Sequence, residues 1–267
     1  MTVGATLSAA AAGEIGLAVV MAGAWKVQRL TGASGWIDAI WTFGVGLAGV
    51  ALAFGFGAAS GGASWRVVLV ASLAAAWSLR LGAHIVARTL KAGDDPRYRG
   101  LVEDWGDAAQ WRLFAFLQTQ AVAGAVLALA IGLAASSSIT TPRIQDALGV
   151  PLFVAAFVGE AVADAQIARF KANPANRAGI CEVGLWRFTR HPNYFFEWLI
   201  WVAFAVLALD AHWLGCLAVL APTLMYWTLR YASGVPLLEE HMLRSRGEPF
   251  RAYQARTPAF FPRLLPK

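Results

Sequence analysis

Charge is what this sequence has least of. Asp, Glu, Lys and Arg make up 14% of its 267 residues, against about 25% in a soluble domain. With 58% hydrophobic residues beside that, a soluble fold is excluded and an integral membrane domain is implied. Cysteine is nearly absent. Cys181 and Cys216 lie far apart, which argues against a disulfide framework, and Cys216, inside an apolar run, reads as a small buried residue. The four histidines are scattered, without HExxH or Cys/His pair spacing, so no metal site is expected. A Walker A motif is missing, as is a GxGxxG fingerprint after a strand, so a Rossmann-type nucleotide domain is not expected. The first 13 residues lack a basic n-region, which argues against a cleaved signal peptide. No internal repeat stands out.

What is present is a series of membrane-length apolar runs. A spanning helix needs about 20 such residues. Runs occur at roughly 8–27, 36–56, 65–90, 113–135, 150–170, 194–209 and 213–230. The second is rich in glycine, with Gly44, Gly46, Gly49, Gly55 and Gly57 forming a small-residue face for close helix approach. Pro222 is expected to kink or open the last run. The expected fold is an all-α integral membrane protein of seven transmembrane helices, one membrane domain over 1–267. Within it, 1–135 supplies substrate-side helices and 150–267 supplies cofactor-side helices, loops and tail.

The net charge of +6 sorts between the loops rather than forming a nucleic-acid surface, and no nucleic-acid partner is expected. Lys26 and Arg29, then Arg88, Lys91, Arg97 and Arg99, then Arg169 to Arg190, then Arg230 to Arg251 follow alternate runs. The intervening loops at 57–64, 134–149 and 210–212 hold almost no Lys or Arg. By the positive-inside rule the C-terminus is cytoplasmic and the N-terminus outside. The expected location is a bacterial inner membrane, with membrane lipid as a constant partner.

Ionisable residues inside apolar runs are candidates for function. Glu160 and Asp164, spaced i, i+4, share one helix face, either as an ion-pairing face or as a cavity wall. Arg80, His84 and Arg88 form a second stripe, with His84 either a proton donor or a packed histidine. Asp38 either caps its helix or serves chemistry. The densest polar stretch is Gly184-Leu-Trp-Arg-Phe-Thr-Arg-His-Pro-Asn-Tyr-Phe-Phe-Glu-Trp198. Pro192 suits the first turn of a helix, and the helix entrance with Arg187, Arg190 and His191 either suits an anionic group such as phosphate or forms a basic collar at anionic lipid headgroups.

That stretch, with Asn173-Pro-Ala-Asn176 before it and Glu239, Tyr253 and Thr257-Pro-Ala-Phe-Phe-Pro262 after it, resembles the C-terminal half of the steroid 5α-reductase family. The resemblance is best over about 164–262 and extends more weakly to Arg80–Arg99 and Gln118. It implies a seven-helix membrane reductase that uses NADPH on an activated C=C bond of a hydrophobic substrate entering from the bilayer. It places Asp164, Lys171, Asn176, Arg190, His191, Asn193, Tyr194 and Glu197 at the cofactor, with Arg251 and Tyr253 closing over it. The family polarises its substrate carbonyl with a Glu on the second helix and a Tyr on the third. Here the third-helix pair reads His84-Ile85, so the Tyr is missing, and Asp38, His84 and Tyr98 are the candidate catalytic groups. The Arg-His-Pro motif also occurs in membrane methyltransferases, so an S-adenosylmethionine-dependent methyltransferase of a lipid or lipidated substrate is the alternative. A lipid-binding or transport protein without an enzyme activity ranks third.

Overall fold

The computed structural model describes residues 3–61, 64–92, 95–137, 139–176, 179–209 and 213–263. Arg177 and the expected turn at 210–212 lie outside the described residues. The helices are α1 (Val3–Thr31), α2 (Gly35–Ala59), α3 (Ser64–Ala92), α4 (Pro96–Trp105), α5 (Ala109–Ala135), α6 (Ile144–Ala172), α7 (Pro192–Ala208), α8 (Leu220–Trp227), α9 (Val235–Arg246) and α10 (Glu248–Arg256). No strand occurs among the described residues. Five helical stretches are long and apolar enough to cross a bilayer: Val3–Thr31, Gly35–Ala59, Trp65–Lys91, Arg97–Ala135 and Ile144–Ala172. A multi-pass membrane protein follows. The sixth expected span, α7, is apolar but only 17 residues long. The seventh is broken into a 3-10 stretch (Trp213–Val219), α8 and a π-helical turn (Thr228–Ala232). Pro222 lies where the 3-10 stretch passes directly into α8, so the change of helix type falls beside it.

The chain divides into two compact units. Unit 1 comprises Met1–Gly149 and Phe204–Ala221, and unit 2 comprises Val150–Ala203 and Pro222–Lys267. The division differs from the expected halves because unit 1 also takes residues 204–221.

In unit 1, α2 packs against α1, α3 and α5. The glycine face expected in the second run makes this possible. A Cβ on Gly46 would lie 2.2 Å from the Ser78 hydroxyl, one on Gly49 2.5 Å from Ile131, and one on Gly57 2.2 Å from Val67. No side chain fits at those three contacts, so the backbones approach closely. The interior around them holds Leu17, Met21, Ile37, Val45, Trp77, Leu117 and Ile131. Leu7, Ile15, Val19 and Leu47 point outward, as suits helices solvated by hydrocarbon. Cys216 is exposed rather than buried; an outward-facing apolar position in a membrane segment needs no burial to avoid water.

At one end of unit 1, three charges are sequestered together. Arg66 and Asp146 form a two-pronged ion pair with side-chain exposures of 1% and 7%. The Arg143 guanidinium also reaches Asp146, and it donates to the carbonyls of Leu207 at 2.8 Å and Leu209 at 3.3 Å. Those carbonyls belong to the end of α7, where acceptors lack intrahelical donors and the helix dipole favours a cation. Trp65 adds a bond from its indole to the Thr140 carbonyl at 2.7 Å.

Unit 2 gathers the Gly184–Arg187 turn, the first turns of α7, and the tail. Phe195, Trp198, Tyr226, Phe260 and Phe261 form one aromatic cluster with ring centroids 5.2–6.3 Å apart. The Thr189 hydroxyl donates to the Phe260 carbonyl, the Arg190 amide to Pro258 and the Arg263 amide to Phe188. The tail is thus built into the unit.

Candidate functional site

Two polar centres emerge, one in each unit. In unit 1 the elements are α2, α4 and α5. Asp95 starts α4: its carboxylate accepts the Arg97 amide at 3.0 Å, and Pro96 occupies the first helical position, a favourable pairing at a helix start. Burial alone would raise the Asp95 pKa. The bonds and charge of Arg97, with the charge of Arg88, more than offset that and hold it at about 2. The anchored α4 then presents Arg97 and Tyr98 to α2. Arg97 bridges Asp95 and Asp38, and the Tyr98 hydroxyl donates to Asp38 Oδ1 at 2.7 Å. Asp38 is therefore not acting as a helix cap. The Gln120 amide of α5 donates to Tyr98 Oη at 3.1 Å, and the Trp41 indole holds the Gln120 carbonyl at 2.9 Å.

The order of donors fixes the direction of this chain. Arg97 can only donate, so Asp38 accepts from it. Tyr98 has one proton and gives it to Asp38, so Gln120 must donate to Tyr98. The result is a buried phenol whose proton is held on a carboxylate. Two of the three expected catalytic residues, Asp38 and Tyr98, are thus brought together. The third, His84, lies half-buried on α3, as does Arg80. Gln120 was not legible in advance; one amide in a 27-residue apolar helix gives no signal of its partner.

In unit 2 the centre is Glu239 of α9. Four donors converge on its carboxylate: Arg190 Nε at 2.7 Å, Arg190 Nη2 at 3.0 Å, His191 Nε2 at 2.9 Å and Gln254 Nε2 at 2.7 Å. Arg190 Nη1 donates to the carbonyls of Gln254 and Thr257. A guanidinium has five N–H donors, and four are engaged inside the protein. Burial pushes the His191 pKa down against the pull of Glu239, so the ring is neutral near pH 7, with Nε2 carrying the proton toward the carboxylate. Its face stacks on Tyr194, with centroids 5.4 Å apart and planes 11° from parallel.

The remaining expected cofactor residues have varied environments. Asp164 and Glu197 are buried, and Glu197 accepts the Trp201 indole at 2.9 Å. Lys171 is exposed and Asn193 half-buried. Asn176 donates to the Phe170 carbonyl at 3.0 Å, closing the end of α6. Tyr253 is buried with its hydroxyl on the Trp186 carbonyl, and Arg251 is exposed on Glu248. Tyr253 therefore secures the turn from inside. Arg256 with Glu182, a two-pronged pair at 2.6–3.0 Å, does the same from outside. Neither Glu239, Gln254 nor the Arg256–Glu182 pair was assigned a role from sequence. The acid beside Arg190 lies 49 positions away, a separation that a single sequence does not connect.

With this geometry in view, comparison with known families gives one result. A family model described as a protein of unknown function, DUF1295, matches residues 24–257. The chain belongs to the DUF1295 family. No curated protein and no solved structure matches it significantly. The match includes both polar centres, Asp38–Tyr98–Gln120 and Arg190–His191–Glu239. Among the described residues no group of three or more His, Cys, Asp or Glu is placed to hold a metal ion.

A fit to NADPH can be judged residue by residue. The flat His191–Tyr194 pair and Asn193 suit a planar ring and a carboxamide or ribose. Arg190 does not suit a phosphate, because its donors are engaged. The cationic role fits Arg230 better. It rises from the π-helical turn, its charge acts on His191, and it has no carboxylate partner among the described residues.

Proposed function

We propose that this protein is a membrane reductase that uses NADPH to reduce an activated C=C bond of a hydrophobic substrate. The observation that carries the reading is the Tyr98–Asp38 hydrogen bond. The resembled reductases pair an acidic residue on the second helix with a Tyr to polarise a carbonyl. Position 85 lacks that Tyr, and α4 supplies Tyr98 against Asp38 instead. On substrate binding the phenol turns its one proton from Asp38 to the substrate carbonyl, while Arg97 keeps Asp38 in place. Enclosure in a helix bundle makes such a contact stronger than it would be in water. Bound NADPH supplies the hydride. In unit 2, His191 and Tyr194 orient its ring, Asn193 its polar edge, and Arg230 a phosphate. We also assign seven crossings, an outside N-terminus and a cytoplasmic C-terminus in the bacterial inner membrane, from the loop charges.

The second reading is a methyltransferase using S-adenosylmethionine. One observation favours it: Arg190 is engaged by Glu239, and that cofactor carries no phosphate to need it. Thermal unfolding of the purified protein separates the two. A ligand at a hundred times its Kd stabilises by about 2.7 kcal/mol. Stabilisation by NADPH that is lost in Arg230→Ala supports the reductase. Stabilisation by S-adenosylmethionine alone replaces it with the methyltransferase.

A further inference from the structure

An open groove runs along α6 within unit 2. Val150, Val154, Val158 and Val162 line one side, and Phe196 of α7 with Leu185 of the 184–187 turn line the other. Its volume is about 690 Å³, and it is open along its length, so an occupant keeps one face outward. From 150 to 162 the helix advances by roughly 18 Å at 1.5 Å per residue. Gly159 makes the groove possible. A Cβ there would come within 2.4 Å of the Phe196 ring, so any larger residue would push that wall away.

The two ends differ in chemistry. At Val150 and Pro151 the lining offers no polar side chain, so an occupant with a polar group at each end has nothing to bond there. At the other end Leu185 belongs to the turn that carries Arg187 and leads to Arg190 and His191. Arg187 is exposed, stacks over Phe188 at 4.5 Å, and has no carboxylate partner among the described residues. A ligand matched to both ends is apolar along its length and anionic at one tip.

We propose that this groove seats the hydrocarbon chain of the protein's substrate, a single-chain lipid whose anionic head lies beside Arg187. That the occupant is a substrate rests on the reductase reading; that the groove takes such a chain stands without it.

The full-length protein in phosphatidylcholine nanodiscs is photolabelled with palmitic acid bearing a mid-chain diazirine, and the label is mapped by peptide mass spectrometry. The label is expected on 150–162 and at Leu185, falling about ten-fold under a roughly ten-fold excess of unlabelled palmitic acid of similar affinity. A fused-ring sterol should not compete. Ala155→Trp fills the groove and removes this label while sparing Leu47 and Val122, exposed on other helices; Val154→Phe serves if that variant does not fold. Arg187→Gln should weaken competition by palmitic acid about two- to five-fold, as for an exposed ion pair, and leave hexadecanol unaffected. Label spread evenly over Leu47, Val122 and α6, insensitive to competitor, reduces the groove to ordinary bilayer contact and overturns the proposal. Site-specific label in a protein that does not bind NADPH keeps the groove and removes the reductase.

Discussion

Replacing Glu239 by Ala should loosen the tail from the start of α7. Truncation leaves the Arg190 guanidinium without its counter-charge and idles one donor each on His191 and Gln254. Removing one partner of a buried ion pair costs about 3–5 kcal/mol. Arg190 keeps its two carbonyl acceptors, and the side chains of the pair are 11% and 12% exposed, so water relieves part of the loss and about 3 kcal/mol is expected. The readout is amide exchange at Arg190 and Arg263, whose N–H groups donate to Pro258 and Phe188 across the tail contact. Their protection should fall about a hundred-fold for ~3 kcal/mol. Glu240→Ala is the control: its partner Arg244 is exposed, and the change should stay within about three-fold. A Glu239→Ala protein with protection inside that control range would refute the assignment of Glu239 as the tail's anchor. Acid should act in the same direction. Burial alone would raise the Glu239 pKa, but the bonds from His191 and Arg190 hold it at about 2, below its ordinary 4.5. The unfolded state therefore binds the proton first, and this stabilisation is complete above about pH 4.5 and lost as pH falls toward 2. The lowered His191 pKa adds an earlier loss beginning below about pH 6.5.

Tyr98→Phe leaves Asp38 Oδ1 and the Gln120 amide each short of a partner and should cost about 1–3 kcal/mol by thermal unfolding. If Tyr98 is the acid, reduction should slow about 10²–10⁴-fold with NADPH affinity unchanged; unchanged turnover would remove Tyr98 from the chemistry. Asp146→Ala strands Arg66 in the interior and should cost about 3–5 kcal/mol. The double variant Arg66→Met with Asp146→Ala should recover part of that, and no recovery would mean that Asp146 acts mainly through Arg143. Gly49→Leu drives a side chain into Ile131 and should destabilise by more than the ~1–3 kcal/mol of ordinary overpacking; a folded variant of normal stability would show that α2 and α5 need no close approach.

The helical membrane class was legible because it depends on sums. Apolar runs of 20 residues and a shortage of charge survive any error in a boundary. The glycine face of α2 was legible for a similar reason: spaced small residues have few uses in a membrane helix other than close packing. The final run misled because composition does not register backbone geometry, and 213–230 holds a 3-10 stretch and a π-helical turn within an apolar sequence. Partners were the least legible of all. Asp38 meets Tyr98 across 60 positions, and Arg66 meets Asp146 across 80. Charge alone predicts that such residues need partners in hydrocarbon; only the packing of α2 with α4, and of α3 with the first turn of α6, decides which.

Dense polar sequence in a chain poor in charge has two sources, and the geometry separates them. In Gly184–Trp198 the apparent anion-binding group, Arg190, answers a carboxylate from the same unit, Thr189 and Trp186 donate to backbone carbonyls, and the Trp186 carbonyl accepts from Tyr253 of the tail. Each of these satisfies a polar group that would otherwise be buried unpaired, so the density of the stretch is largely a consequence of docking an extended tail onto a helix start. Chemistry is better sought where capacity remains after folding is satisfied. Gln120 donates to Tyr98, yet its side-chain oxygen Oε1, distinct from the backbone carbonyl that Trp41 holds, is buried without a partner among the described residues, at a cost of about 1–3 kcal/mol unless something donates to it. Arg230 and Arg187 likewise keep their charge unanswered by any carboxylate among the described residues. By that criterion the residues most suited to meet a ligand are not those that stand out most in the sequence, and Arg230→Ala should harm cofactor binding while Arg190→Ala should harm the fold first.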